Sequence, residues 1–94
     1  TLGLEGESIS GVYQHYYRMP SGVYITQVEY GSDAHNVGIQ EGDLLLSIGG
    51  TRVSSFDELR SAVLTYKVGD IVEVIIYRNG QQYKAELTLS EAKG

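Results

Sequence analysis

The stretch whose reading decides the fold is Gly31–Leu59, GSDAHNVGIQEGDLLLSIGGTRVSSFDEL. Ser32 stands where a helix cap accepts a backbone donor and Gly38 where a left-handed residue closes one, so 32–39 reads as a short helix. GDLLLSIGGTRV (42–53) follows as an apolar strand, a Gly49-Gly50 turn and a short return strand. Ser55 with Glu58 three residues later forms a capping box that satisfies donors orphaned in a first helical turn. The spacing of Phe56, Leu59, Val63 and Tyr66 predicts a helix over 56–66, with Lys67 suited to its negative end and Gly69 as its stop.

Downstream, IVEVIIYRNGQQYKAELTL (71–89) places Asn79-Gly80, the preferred two-residue type I′ turn, between two alternating runs. Counting outward from that turn pairs Ile76 with Tyr83, Val74 with Ala85 and Val72 with Leu87 on one apolar face, and Ile75 with Lys84 and Glu73 with Glu86 on the other. Upstream, GVYITQVE (22–29) reads as a strand with Val23, Ile25 and Val28 packed. SISGVYQHYYRMP (8–20) has Ile9, Val12, Tyr13, Tyr16 and Tyr17 at three- and four-residue spacings, which predicts a short amphipathic helix ended by Pro20.

The 94 residues are read as one domain over 1–94, with 90–94 as a frayed tail. Hydrophobic residues make up 41% and charged residues 20%, a globular balance, and twelve glycines against one proline imply tight turns at positive φ. A net charge of −5 with seven scattered Lys and Arg offers no stripe to neutralise phosphates, so nucleic acid is excluded as a partner. No apolar run approaches the roughly 20 residues that span a bilayer, so direct membrane insertion is not expected. Without cysteine there is neither a disulfide nor a thiolate metal site.

Chemistry of the catalytic kind is scarce. His15 and His35 lack partners at metal-ligand spacing, no serine sits in a nucleophile elbow, and Asp33, Asp43, Asp57 and Asp70 adjoin turns or helix starts where a short carboxylate caps amides. GLEGES (3–8) lacks the Lys-Ser/Thr of a phosphate loop. Tyr13, Tyr16 and Tyr17 have no basic stripe beside them and read as packing rather than a base-stacking platform. No catalytic residue, metal or cofactor is expected. What remains is binding by backbone geometry, because an apolar-Gly-apolar segment leading into a strand can present successive N–H groups to an anion.

The order LGLEG (2–6), then 22–64, then GDIVEVIIYRNG (69–80) resembles a PDZ domain, in the form attached to bacterial HtrA/Deg-type trypsin-like serine proteases. Glu7 to Pro20 is a longer insertion than minimal members carry. The resemblance implies an α+β, mainly β fold: a partly open β-barrel or sandwich of five or six strands with two to three helices, in the circularly permuted bacterial topology. It implies a non-catalytic module that recognises hydrophobic C-termini of misfolded or unassembled proteins by strand addition, and that recruits them to, or allosterically activates, the attached protease domain. A structural docking module holding protomers or domains together is the alternative. The implied setting is extracytoplasmic, in the periplasm or at the cell surface.

By the same resemblance, Leu2, Gly3 and Leu4 form the carboxylate-binding loop, and Leu4, Glu5, Gly6 and Glu7 the strand that pairs with the peptide. Phe56, Arg60 and Val63 are placed toward the groove, with Leu2, Leu4, Leu59 and Ile48 closing an apolar pocket. Helical spacing alone leaves Leu59, Val63 and Ile48 open between pocket wall and plain core. Hydrogen bonds to a charged acceptor, about 1.5–3 kcal/mol each, would select a chain end. Burial of one apolar side chain, roughly 1.5–3 kcal/mol, would select its last residue.

Overall fold

A computed structural model of the chain describes residues 3–9 and 11–89. The proposed tail at 90–94 lies outside these residues. Six strands and three helices follow in the order β1 (Leu4–Ser8), α1 (Gly11–Tyr17), β2 (Val23–Val28), α2 (Asp33–Asn36), β3 (Leu44–Ile48), β4 (Thr51–Arg52), α3 (Phe56–Val63), β5 (Ile71–Arg78) and β6 (Gln81–Thr88). The strands form one antiparallel sheet in the order β1-β2-β3-β5-β6, with β4 on β3 and no closing pair between β1 and β6. This is the mainly β, partly open architecture that the sequence predicts.

The β5–β6 hairpin has the predicted register throughout, from Arg78↔Gln81 at the turn to Val72↔Leu87. Asn79 at φ 53 and Gly80 at φ 79 both occupy the left-handed region, as a type I′ turn requires, and the register follows. The Glu73↔Glu86 repulsion is relieved diagonally, since Lys84 Nζ lies 3.6 Å from Glu73 Oε2. Centrally, every residue of β3 is buried. A bulge between Leu45 and Ser47 in its pairing with β5 lets the strand depart from strict alternation.

Both local helix readings around β3 hold at their starts. The Ser32 hydroxyl accepts from the His35 amide and the Ser55 hydroxyl from the Glu58 amide. Glu58 reaches back one residue further than a capping box predicts, taking the amide (3.1 Å) and hydroxyl (2.7 Å) of Ser54. The α3 helix ends at Val63 rather than Tyr66. Its last turn tightens into 3-residue hydrogen bonds, Thr65 N–H to Ala62 O and Tyr66 N–H to Val63 O, and the Thr65 hydroxyl also donates to Ala62 O at 2.7 Å.

The α1 helix departs further from its prediction. None of its residues is buried, and Val12 is 83% exposed, so the stripe of Val12, Tyr13, Tyr16 and Tyr17 does not pack on the core. The tyrosines stack on one another instead, with centroids 4.5 Å apart for Tyr13–Tyr17 and 4.9 Å for Tyr16–Tyr17. Nor does Pro20 end the helix. Arg18 takes φ 54, its amide bonds to His15 O and the Met19 amide to Gln14 O, which is a Schellman closure with arginine in the glycine position.

One ion pair joins distant parts of the sheet. The Arg78 guanidinium donates to both Asp43 oxygens, at 2.7 and 2.6 Å, and to the Gly38 carbonyl at 2.9 Å, while Asp43 also accepts from the Gln40 amide at 2.8 Å. Asp43 is only 2% exposed, so its sequence reading as a turn cap covers the smaller part of its role. Hydrogen bonding to Asp43 pushes the Arg78 guanidinium up from its ordinary value.

Arg78→Ala strands a buried carboxylate and should lower the unfolding free energy by about 3 kcal/mol, measured by urea denaturation. Hydrogen bonds from the Ser54 hydroxyl and amide hold Glu58 below the usual carboxylate range. A lowered folded-state pKa adds stability that is present above the unfolded value and lost as pH falls through the folded one. The stability gap between the native chain and Glu58→Gln should therefore be largest near neutral pH and close in acid, followed through urea midpoints across that range.

Candidate functional site

β1 is an end strand of the sheet, and the way it meets β2 determines what its outer edge offers. The Glu29 amide donates to the Gly3 carbonyl at 2.7 Å, so Leu4 and Val28 are opposed without exchanging hydrogen bonds. The N–H and C=O of Leu4 consequently point away from β2. Ile25, opposite Gly6, uses its own N–H and C=O on Asp43 and Gly42, at 2.9 and 2.8 Å. Gly6 is thus a second residue of β1 whose polar groups turn outward. The intervening irregularity, Glu5↔Gln27 followed by Gly6↔Ile25, places the extra residue, Thr26, on β2 and leaves β1 regular.

Two glycines permit this arrangement. Gly3 has φ 73, and a Cβ there would overlap the Ser32 side chain, whose hydroxyl lies 3.5 Å from the Gly3 carbonyl. Gly3, immediately before β1, is therefore seated on the turn that opens α2. At Gly6 a Cβ would sit 2.6 Å from Val23 Cγ1 and 2.9 Å from the Tyr24 carbonyl, so only glycine lets β2 approach so closely. Leu2, the first residue of the predicted loop, lies outside the described residues.

Between β1 and α3 lies a groove of about 410 Å³ lined by Leu4, Glu5, Phe56, Leu59, Arg60, Val63 and Leu64. Leu4 and Leu59 are buried and form its floor, and Phe56 and Val63 are half-buried on its wall. Arg60 stands at the rim, its Nη2 2.6 Å from Asp57 Oδ1 and its guanidinium 5.6 Å from the Phe56 centroid. The structure thus gathers Leu4, Glu5, Phe56, Leu59, Arg60 and Val63 around one groove, with Gly3 beside its end and Gly6 and Glu7 further along β1.

Ile48 is the exception. It is fully buried, opposite Val74 of β5 and Thr51 of β4, and belongs to the core rather than to the groove. Its position in a central strand leaves no open face. Conversely, Leu64 lines the groove although it was not among the predicted residues, and it is 84% exposed. Extending the four-residue steps from Phe56 through Arg60 reaches Leu64, so helical spacing carried the signal past the α3 terminus.

Known proteins resemble this chain in sequence and in shape. The sequence model of the PDZ domain family matches residues 1–89. The Serine protease Do-like HtrA of Lactococcus lactis subsp. lactis (strain IL1403) is 34% identical over 71 residues, covering 76% of this chain and 17% of that protein. The Periplasmic pH-dependent serine endoprotease DegQ of Escherichia coli (strain K12) is 31% identical over 90 residues, covering 94% of this chain and 20% of that protein. The chain therefore spans about a fifth or less of the length of these curated relatives. Among solved structures, the HtrA3 PDZ domain bound to a phage-derived ligand (FGRWV) superimposes with a TM-score of 0.79 at 23% identity, over 94% of this chain and 82% of that one.

Gly3→Ala forces a side chain against Ser32 at a left-handed φ and should loosen the seat of the loop. Faster hydrogen exchange at the Glu29 amide, with the β5–β6 amides unchanged, is the expected result.

Proposed function

The chain belongs to the PDZ domain family, and from that premise we propose that it binds the free C-terminal ends of polypeptides by taking them up as an additional antiparallel strand on β1. The outward-facing polar groups of Leu4 and Gly6 above an apolar groove are the observation that carries this reading. They supply a ladder that any peptide backbone satisfies, so strand addition itself reads no sequence. The amides of Leu2, Gly3 and Leu4 would receive the terminal carboxylate. Leu4, Phe56, Leu59, Val63 and Leu64 would bury the last side chain, which favours an apolar residue there. The phage-derived ligand (FGRWV) bound to the HtrA3 PDZ domain supports peptide binding as a use of the fold.

The relatives are serine proteases several times longer than this chain. On that likeness the domain serves an attached protease, recruiting to it misfolded or unassembled proteins with hydrophobic C-termini or allosterically activating it when they bind. The periplasmic description of DegQ supports an extracytoplasmic setting.

Strand addition minus the ordering cost gives an affinity in the micromolar range, roughly. A peptide ending in free valine and its C-terminally amidated twin should differ at least about tenfold in calorimetric titration, since one charge-assisted contact is worth about that much. Equal binding of the two would remove the carboxylate loop from the reading.

A further inference from the structure

A second hollow, of about 310 Å³, opens at the far end of β1 and is lined by Glu7, Ser8, Ile9, Tyr13 and Tyr24. It combines a carboxylate with two aromatic rings, and none of its described lining residues is a cation. Tyr24 stands opposite Glu7 across the β1–β2 pair, and Tyr13 reaches the same place from α1, the helix that buries nothing. Among the described residues Glu7 takes part in no ion pair.

We infer that this hollow is a subsite for a basic side chain, Arg or Lys, at the fourth residue from the end of the bound peptide. The inference rests on the strand-addition reading and deepens it. In an antiparallel ladder whose last residue lies opposite Leu4, the third from the end lies opposite Gly6 and the fourth opposite Glu7. Opposed side chains share a face, so the first and third turn toward the groove with Leu4, and the second and fourth turn outward with Glu5 and Glu7. Leu4 and Glu7 stand about 10 Å apart at the rise of a strand, which places the hollow within the reach of a short peptide.

Chemistry selects the occupant. A guanidinium or ammonium in the hollow gains from the aromatic rings that line it, and Glu7 offers it a charged acceptor. The outer face of β1 repeats the sign at Glu5, which shares a shallow depression with Gln27 and Glu29, and the chain carries a net charge of −5. An acidic residue at the fourth position meets repulsion from Glu7 and an aliphatic one leaves the carboxylate unused. The α1 insertion thereby gains a role: it completes a site at the upstream end of the peptide, on the face of β1 opposite to the groove that holds the downstream end.

The test uses six-residue peptides with one common Ala-Ala-Val end and Arg, citrulline or Glu fourth from the terminus, each also prepared as the amide. Titrated against the chain at low salt, the Arg peptide should bind about five- to tenfold more tightly than the citrulline peptide, and the Glu peptide should be weakest. Raising the salt should narrow the differences. Glu7→Gln and Tyr13→Ser, both at exposed positions, should each lower the ratio of Arg-peptide to citrulline-peptide affinity. If all three free-ended peptides bind alike while amidation still weakens each, the subsite is overturned and the strand-addition reading stands. If amidation changes nothing, that reading fails and the subsite with it. Concentration-dependent association of the free chain that Tyr13→Ser abolishes, without any preference at the fourth residue, would assign the hollow to a second copy and overturn the proposal.

Discussion

The hydrogen bond from the Glu29 amide to the Gly3 carbonyl fixes which way every polar group of β1 faces. A strand alternates its N–H and C=O groups between two edges, so one fixed contact sets the phase for the whole element. With Gly3 joined to Glu29, Leu4 and Gly6 necessarily point away from β2. Shifted by one residue, the same strand would turn Leu4 toward β2 and bring its apolar side chain out of the groove floor. The edge that offers backbone groups and the floor that offers apolar surface therefore arise from one constraint.

That constraint is held from a distance. Gly3 is seated on Ser32, and Ser32 caps α2, whose end leads through Gly38 to the turn before β3. There the Arg78–Asp43 pair ties the Gly38 carbonyl and the Gln40 amide to the far end of β5. A chain of contacts thus connects the β5–β6 hairpin to Gly3 immediately before β1. In the hairpin, turn chemistry and the cross-strand apolar face specify the same register.

Legibility in the sequence followed the range of the interactions concerned. The hairpin register, the Ser32 and Ser55 caps and the Gly49-Gly50 turn depend on residues a few positions apart, and each was readable from its own neighbourhood. Among the groove residues, Leu59 and Ile48 have the same apolar character, and only the sheet order separates them: Leu59 faces β1 from α3, whereas Ile48 is enclosed by β4 and β5. The seat of Gly3 on Ser32 joins residues far apart in the chain and left no local pattern. The α1 helix shows the reverse case, where a clear amphipathic spacing exists without a core to receive it. Periodicity predicts a helix with an apolar face, and the tertiary structure alone decides what that face meets.

Gly6 explains why recognition would divide between the two ends of β1. Lacking a side chain, it contributes nothing to either face, and its close approach to Val23 and Tyr24 forbids any substituent. The middle of the strand can therefore offer only backbone. Side-chain discrimination must reside before it, where Leu4 lines the groove with α3, or after it, where Glu7 lines the hollow with Tyr13 and Tyr24. The first region is apolar at its floor and the second is lined by a carboxylate and two aromatic rings, so the two would read different properties of one extended chain. A helix that leaves its tyrosines in solvent gives up burial that its composition would otherwise provide. Of that uncovered surface, Tyr13 lines the hollow at the end of β1 together with Glu7, Ser8 and Ile9.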